Sequence, residues 1–300
     1  MSIGVATLFV AARLSRTLCC GDKMRIVGVG NETYMLLSGI AVSESLALSD
    51  NVQLQRADTS HLDLETTLSA CTHPDDIAVA AAFVPRISAQ LKIEASTPKD
   101  VAAIAWNSSW DVLLLSALFQ TEISFNLQSD VAADSIAPDS TLRATNLHMR
   151  GLTNDSPYQI TADDSGWLAD HFASAHTLLD NDRFQTAVHC LATYRWHSMA
   201  RVQMAILWAG IEGLFGASSE IRFRISLYIA RFLHPNNEEQ KRSVFDAVKK
   251  LYNSRSAAVH GSKIKGNTSS AVSESADVLC QLLRRCAEQN SLPIEDQLVP

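Results

Sequence analysis

The chain has 300 residues, 47% of them hydrophobic and 19% charged, with a formal charge of −7. That composition can fill the core of one large domain or two modest ones, and it excludes a mainly disordered chain. With 12 Gly and 8 Pro it also excludes a collagen-like fibre. Near the start, the apolar stretch Ile3–Ala12 is shorter than the roughly 20 residues that a bilayer span requires. No Lys or Arg precedes it, and Arg13 and Arg16 follow where a secretory signal would place small residues. It reads as a first strand or short helix, and no membrane span or membrane partner is expected.

The β-branched and aromatic content of Met24–Val29 and Thr33–Leu37 predicts short strands. Asp75–Val84 reads as a helix stopped by Pro85. Pro98–Phe119 reads as another, with Thr97 as N-cap, Pro98 at its first position, and Trp106, Trp110, Leu113, Leu114 and Ala117 on one stripe. Glu122–Gln128 and Thr141–Met149 alternate like strands, around a polar and mobile turn at 129–140. The polar run 151–165 marks a boundary. Residues 1–155 are thus expected to form a mixed α/β domain. They hold no motif to which chemistry can be assigned; a sensor or regulatory role, for a trigger or partner, is the expectation for them beside the C-terminal part.

Beyond the boundary the pattern is helical. Helices are expected from near Ser165, over 183–197, through Ala200–Phe215 with Gly216 as C-cap, through Ile221–Phe232, from Glu238 to near Gly261, and from Val272 to Cys286. The apolar positions Ala200, Met204, Leu207, Trp208 and Ile211 fall on one core-facing stripe. The fold class is therefore α+β: an N-terminal mixed α/β domain followed, over 160–290, by an all-α antiparallel bundle.

The six cysteines, at 19, 20, 71, 190, 280 and 286, form no C-x-x-C pair, and reduced thiols in a cytoplasm are the simplest expectation. The charge is uneven. Residues 183–265 hold 13 Lys and Arg against 5 Asp and Glu, a net of +8, while the remainder carries −15. A basic third on an acidic protein suggests a polyanion-binding part; an Arg-rich exposed helix face gives the same count.

Within that third, Leu251–Gly261 places Arg255 and His260 five residues apart at a helix end, around the small residues Ser256, Ala257 and Ala258. Cleaving RNA without a metal needs a base for the 2′-hydroxyl proton and an acid for the leaving 5′-oxygen. Imidazole suits both, with a reference pKa of ~6.5. Guanidinium binds phosphoryl oxygens bidentately and stays charged. On a regular helix five residues turn ~500°, which leaves the two side chains about 140° apart. Either the last turn unwinds before Gly261, or His260 meets its counterpart across the two-fold axis of a dimer.

The Arg255-x4-His260 spacing resembles the R-x4–6-H signature of HEPN domains. With Gly210-Ile211-Glu212-Gly213-Leu214-Phe215 upstream, Leu251-Tyr252, Ser256 and His260-Gly261, it looks like the ApeA-like HEPN group of prokaryotic defence proteins. The resemblance covers roughly 165–290. It implies a helical bundle that dimerises into a metal-independent endoribonuclease, its paired motifs meeting at the dimer interface. RNA is then the substrate, with no cofactor and no metal. Many members place Asn, Asp or His directly after the Arg, where this chain has Ser256.

Arg255 is expected to bind the scissile phosphate and His260 to act as acid or base. Glu212, costly if buried unpaired, is expected to pair with Arg255 or Arg201, or else to lie half-exposed at the stripe's edge. Lys263 and Lys265 read as phosphate contacts or as a solvated loop. Tyr252 reads as a base-stacking ring or a core residue. Two rival readings stand beside the nuclease: a non-catalytic HEPN-like module binding RNA or protein as a dimer, and a structural dimer in which Arg255 and His260 are ordinary helix C-terminal cations. Two further signals are weak. Gly28-Val29-Gly30 followed by Thr33 imitates a dinucleotide-binding turn but lacks its third glycine. The pairs His171/His176 and His189/His197 lack the i, i+4 spacing of a helical zinc site and read as surface histidines.

Overall fold

A computed structural model describes residues 26, 30–150, 152, 156–216, 221–262 and 266–298. Ile3–Ala12, nearly all of the expected strand Met24–Val29, and Lys263 and Lys265 lie outside them. The protein is of the α+β class, an antiparallel sheet region followed by a helical region. It forms two compact units: residues up to Val112 with Ile123–Ser165, and Leu113–Glu122 with the chain from Gly166 onward.

In the first unit, β1 (Glu32–Ser38), β3 (Leu46–Ser49), β4 (Val52–Arg56), β5 (Ile87–Glu94), β6 (Ser124–Ser129) and β7 (Leu142–Ala144) form one sheet in the order β3-β4-β5-β1-β6-β7, every pair antiparallel. A second, two-stranded sheet pairs β2 (Ile40–Ala41) in parallel with β8 (Tyr158–Gln159). β1 is central, so both of its faces are covered and six of its seven residues are buried. β3, β4 and β5 were not among the expected strands, although Val52-Gln53-Leu54 and Ile87 to Ile93 alternate in the sequence as half-buried strands do. Two helices, α1 (Leu64–Ala70) and α2 (Pro74–Phe83), precede β5, and α2 packs on β6 and β7. Phe83, Val79 and Ala80 join Tyr34, Leu36 and Leu127 in one core.

Two expectations here are corrected. The segment after Ala144 does not continue as a strand, because side chains capture its backbone: the Asn126 side-chain amide donates to the His148 carbonyl at 2.5 Å, and the Asn146 side-chain oxygen accepts from His148 N–H at 3.1 Å. The 129–140 turn is not a loose polar loop. Ala133 and Ile136 are buried, Ala133 N–H donates to Gln90 at 2.8 Å, and Thr141 N–H donates to Asp130 at 2.8 Å.

Helix α3 (Pro98–Leu118) starts as expected, with a reciprocal box in which Asp100 N–H donates to Thr97 Oγ1 at 3.2 Å and that hydroxyl donates back to the Asp100 carboxylate at 2.7 Å. Its expected single stripe is corrected. Trp106 and Trp110 are half-buried, whereas every residue from Asp111 to Phe119 is buried. Among the described residues α3 alone is long and apolar enough to cross a bilayer, with a mean hydropathy of 1.3, and 67% of that apolar window is buried within the fold, as in a core helix.

The helical unit holds α4 (Ala162–Leu178), α5 (Asp182–Thr193), α6 (Ala200–Phe215), α7 (Ile221–Leu233), α8 (Glu238–Val259), α9 (Thr268–Gln289) and the short α10 (Glu295–Leu298). Local signals set the ends. Thr161 and Asp164 cap α4 reciprocally. Asn181, Asn237 and Asn267 cap α5, α8 and α9. Gly216 closes α6 at φ +65°. The helix expected over 183–197 ends at Thr193, and Tyr194–Trp196 tightens into a 3-10 turn. The core forms where α6 packs against α5 and α9, with Met204, Leu207, Trp208, Ile211 and Leu214 fully buried.

Gly210 permits that approach. A Cβ there would meet Cys190 Cβ and Leu279 Cδ2 at 3.0 Å and the Ala187 Cα at 3.3 Å. Gly210→Ala is therefore expected to lower stability by about 1–3 kcal/mol despite alanine's better helix propensity. A denaturant midpoint equal to or above that of the wild type would contradict this packing.

Candidate functional site

The site is built where the middle of α6 meets the last turns of α8. Trp208 and Glu212 lie one helical turn apart on α6, and Tyr252 and Arg255 lie three residues apart on α8, so each pair shares a face. Trp208 is wholly buried; its indole N–H donates to Ser275 Oγ on α9 at 3.1 Å. Tyr252 stands edge-on to it, ring centroids 5.3 Å apart. The Arg255 guanidinium lies 5.4 Å from the Tyr252 ring centroid and donates from Nη2 to Glu212 Oε2 at 2.9 Å. Of the two cations expected to pair with Glu212, Arg255 does so. Tyr252 is half-buried, and its contacts are to Trp208 and Arg255.

The Arg255 and Glu212 side chains are each 21% exposed, so the pair sits at a rim. Among the described residues, Glu212 Oε1 and Arg255 Nε are buried without a hydrogen-bond partner. Burial pushes the Glu212 carboxyl above the ordinary range, and the charge and hydrogen bond of Arg255 pull it back only in part. A carboxyl raised in this way binds a proton more readily folded than unfolded. Its contribution thus favours the fold below the ordinary value of 4.5 and is lost as pH rises through the folded value. Glu212→Gln, which cannot ionise, is expected to gain stability relative to the wild type between pH 4 and pH 7. Urea unfolding of both proteins at the two pH values measures this; a relative loss would contradict it.

Arg201, at the start of α6, has another task. Its Nη1 donates to the carbonyls of Ala257 at 3.0 Å and Ala258 at 3.2 Å, and its Nη2 donates to Ser262 at 2.7 Å. It closes the C-terminal end of α8, where carbonyls lack helical partners. The cation binding those carbonyls is therefore Arg201 rather than Arg255. The sequence offers Arg201 only as a partner for Glu212, and Trp208 as a core residue, which it is, without its support of Tyr252. The signal was available: Trp208 and Glu212 share one face of α6, and Arg201 lies two turns before Trp208.

His260 is the C-cap of α8 and is exposed. Its N–H still donates to the Ser256 carbonyl at 3.0 Å, and the chain reverses only at Gly261, at φ +71°. The last turn is thus not unwound, which corrects one of the two expected routes to convergence. Arg255 and His260 stay about 140° apart around α8. Ser256 is half-buried between them, its carbonyl occupied by His260.

The set-aside signals have plain structural roles. Gly30, at φ +87°, leads into β1, where Thr33 is buried, and no helix follows it. His171, His176 and His189 are half-buried beside Trp167, Phe172 and Trp196, and His197 is exposed. Among the described residues no group of three or more His, Cys, Asp or Glu side chains gathers as metal ligands would. Cys71, Cys190, Cys280 and Cys286 are free, and burial pushes the Cys190 and Cys280 thiols up to about 11 and that of Cys286 to about 12.

No family model matches the chain, and neither does any curated protein or solved structure.

Proposed function

We propose that the helical unit is a metal-independent endoribonuclease of HEPN type, working in the cytoplasm as a homodimer in prokaryotic defence or a stress response. The observation that carries this reading is the Arg255 guanidinium, held at a rim by Glu212 and Tyr252, on the same helix end as an exposed imidazole. In the proposed reaction the base takes the 2′-hydroxyl proton, the 2′-oxygen attacks the phosphorus, and the acid protonates the departing 5′-oxygen. His260 serves as one of these groups, and Arg255 balances charge on the phosphoryl oxygens. Because the two side chains diverge around α8, the site is completed by the second subunit. The first unit then receives the trigger or regulatory partner. Free, buried thiols fit a reducing compartment.

A second reading, a non-catalytic HEPN-like dimer module binding RNA or protein, is favoured by one observation. The Arg255 charge is already engaged by Glu212, which weakens its claim on a phosphate. Incubating the purified full chain with total RNA in excess chelator decides between them. The nuclease reading predicts cleavage. Salt-sensitive binding without cleavage favours the module.

A further inference from the structure

A groove of about 730 Å³ opens in the helical unit, away from the Arg255 site, between α7, the first turns of α8 and the strap Ser291–Leu298. The strap is tied to α7 beside the groove. Glu295 in the strap accepts from Arg224 at 3.2 Å and from the Tyr228 hydroxyl at 2.8 Å, and Arg231 donates to the Leu298 carbonyl at 2.8 Å.

The lining has two characters. Leu227, Phe245, Leu292 and Leu298 make it apolar, and Phe223 at 53% and Ile294 at 50% exposure extend that surface out to the mouth. Arg231, Lys241 and Arg242 line it as well, against a single carboxylate, Glu238, which Lys241 already holds at 2.6 Å. Arg242 is exposed, and among the described residues no ion pair engages it. Phe223 and Ile294 are thus half-exposed lining residues, an apolar surface suited to an occupant that runs along the groove. A nucleic-acid strand fits poorly. The rings of Phe223 and Phe245 meet edge to face at 5.7 Å, and Lys249 stands 5.3 Å over Phe245, so few ring faces remain for bases.

We propose that this groove docks an acidic amphipathic peptide segment of a protein partner. Its apolar side chains enter between Phe223, Leu227 and Leu298, and its carboxylates face Arg231 and Arg242. This goes beyond the nuclease reading and does not depend on it.

Selection of a displayed random peptide library on the full chain tests the proposal. Enriched peptides are expected to carry Asp or Glu flanking apolar residues, and Arg242→Glu is expected to weaken their binding by about tenfold or more. Arg242 is exposed, so the variant should fold. Absence of enrichment, peptides without acidic residues, or affinity within twofold for Arg242→Glu would each overturn the proposal. So would displacement of labelled hexauridylate, rather than of any peptide, by mutation of the groove.

Discussion

Replacing His260 by alanine is expected to lower chelator-resistant RNA cleavage by roughly 10²–10⁴-fold, the range that a positioned acid–base group contributes. The fold should be indifferent to the change. His260 is exposed, and what it gives to α8 is its backbone N–H, which alanine retains. Thermal unfolding should thus coincide with that of the wild type while activity is lost. Arg255→Ala should lose a comparable activity but also some stability, since it leaves the half-buried Glu212 carboxylate alone. Arg255→Lys keeps the charge without the planar fork and should recover little. Cleavage undiminished in His260→Ala would assign the activity to another site or to a contaminant.

The largest effect on stability is expected from Trp208→Ala, at about 3–5 kcal/mol. Trp208 is wholly buried, its indole N–H satisfies Ser275, and its ring backs Tyr252. Truncation leaves a cavity at the meeting of α6, α8 and α9 and removes the support beneath the Arg255 guanidinium. Trp208→Phe refills most of the volume, loses the hydrogen bond to Ser275, and should cost less. Guanidinium or urea unfolding reads both changes. A loss below about 1 kcal/mol for Trp208→Ala would mean that the site collapses without consequence, against the packing described.

Much of the helical unit was legible because its signals are local. Gly216 needs a left-handed backbone, Pro235 cannot continue a helix, and the 3.6-residue period from Met204 to Ile211 points inward. The strands were harder. β4 and β5 alternate over five and eight residues, but only their pairing with each other and with β1 buries Leu54, Leu91 and Ile93. Strand stability is non-local, so a single short alternation competes poorly with a loop. The failure of Thr141–Met149 as a full strand has the opposite cause: the Asn126 and Asn146 side chains occupy the His148 carbonyl and N–H, bonds that alternation does not reveal.

In the site, the charge cost of Glu212 in an apolar segment rightly called for a cation. Arg201 shares a face of α6 with Glu212 but lies eleven residues, about 16 Å, along the axis from it, and Arg255 is on another helix, so spacing alone did not choose between them. Packing of α6 on α8 decides it by drawing Arg255 onto Glu212 and Arg201 onto the last carbonyls of α8. The regular last turn of α8 was likewise hidden. Gly261 signals a chain reversal but not on which residue the helical hydrogen bonding ends.

Convergence of a guanidinium and an imidazole from two chains on one phosphodiester is tested most directly by mixing variants. In the proposed dimer, Arg255→Ala and His260→Ala chains, co-expressed and purified together, would form mixed dimers with one intact composite site. Half of the dimers carrying one working site of two gives recovery of about a quarter of wild-type cleavage, from two variants that are each inactive alone. That recovery is the predicted result. Mixed dimers no more active than either variant, with folding and dimerisation unimpaired, would contradict it.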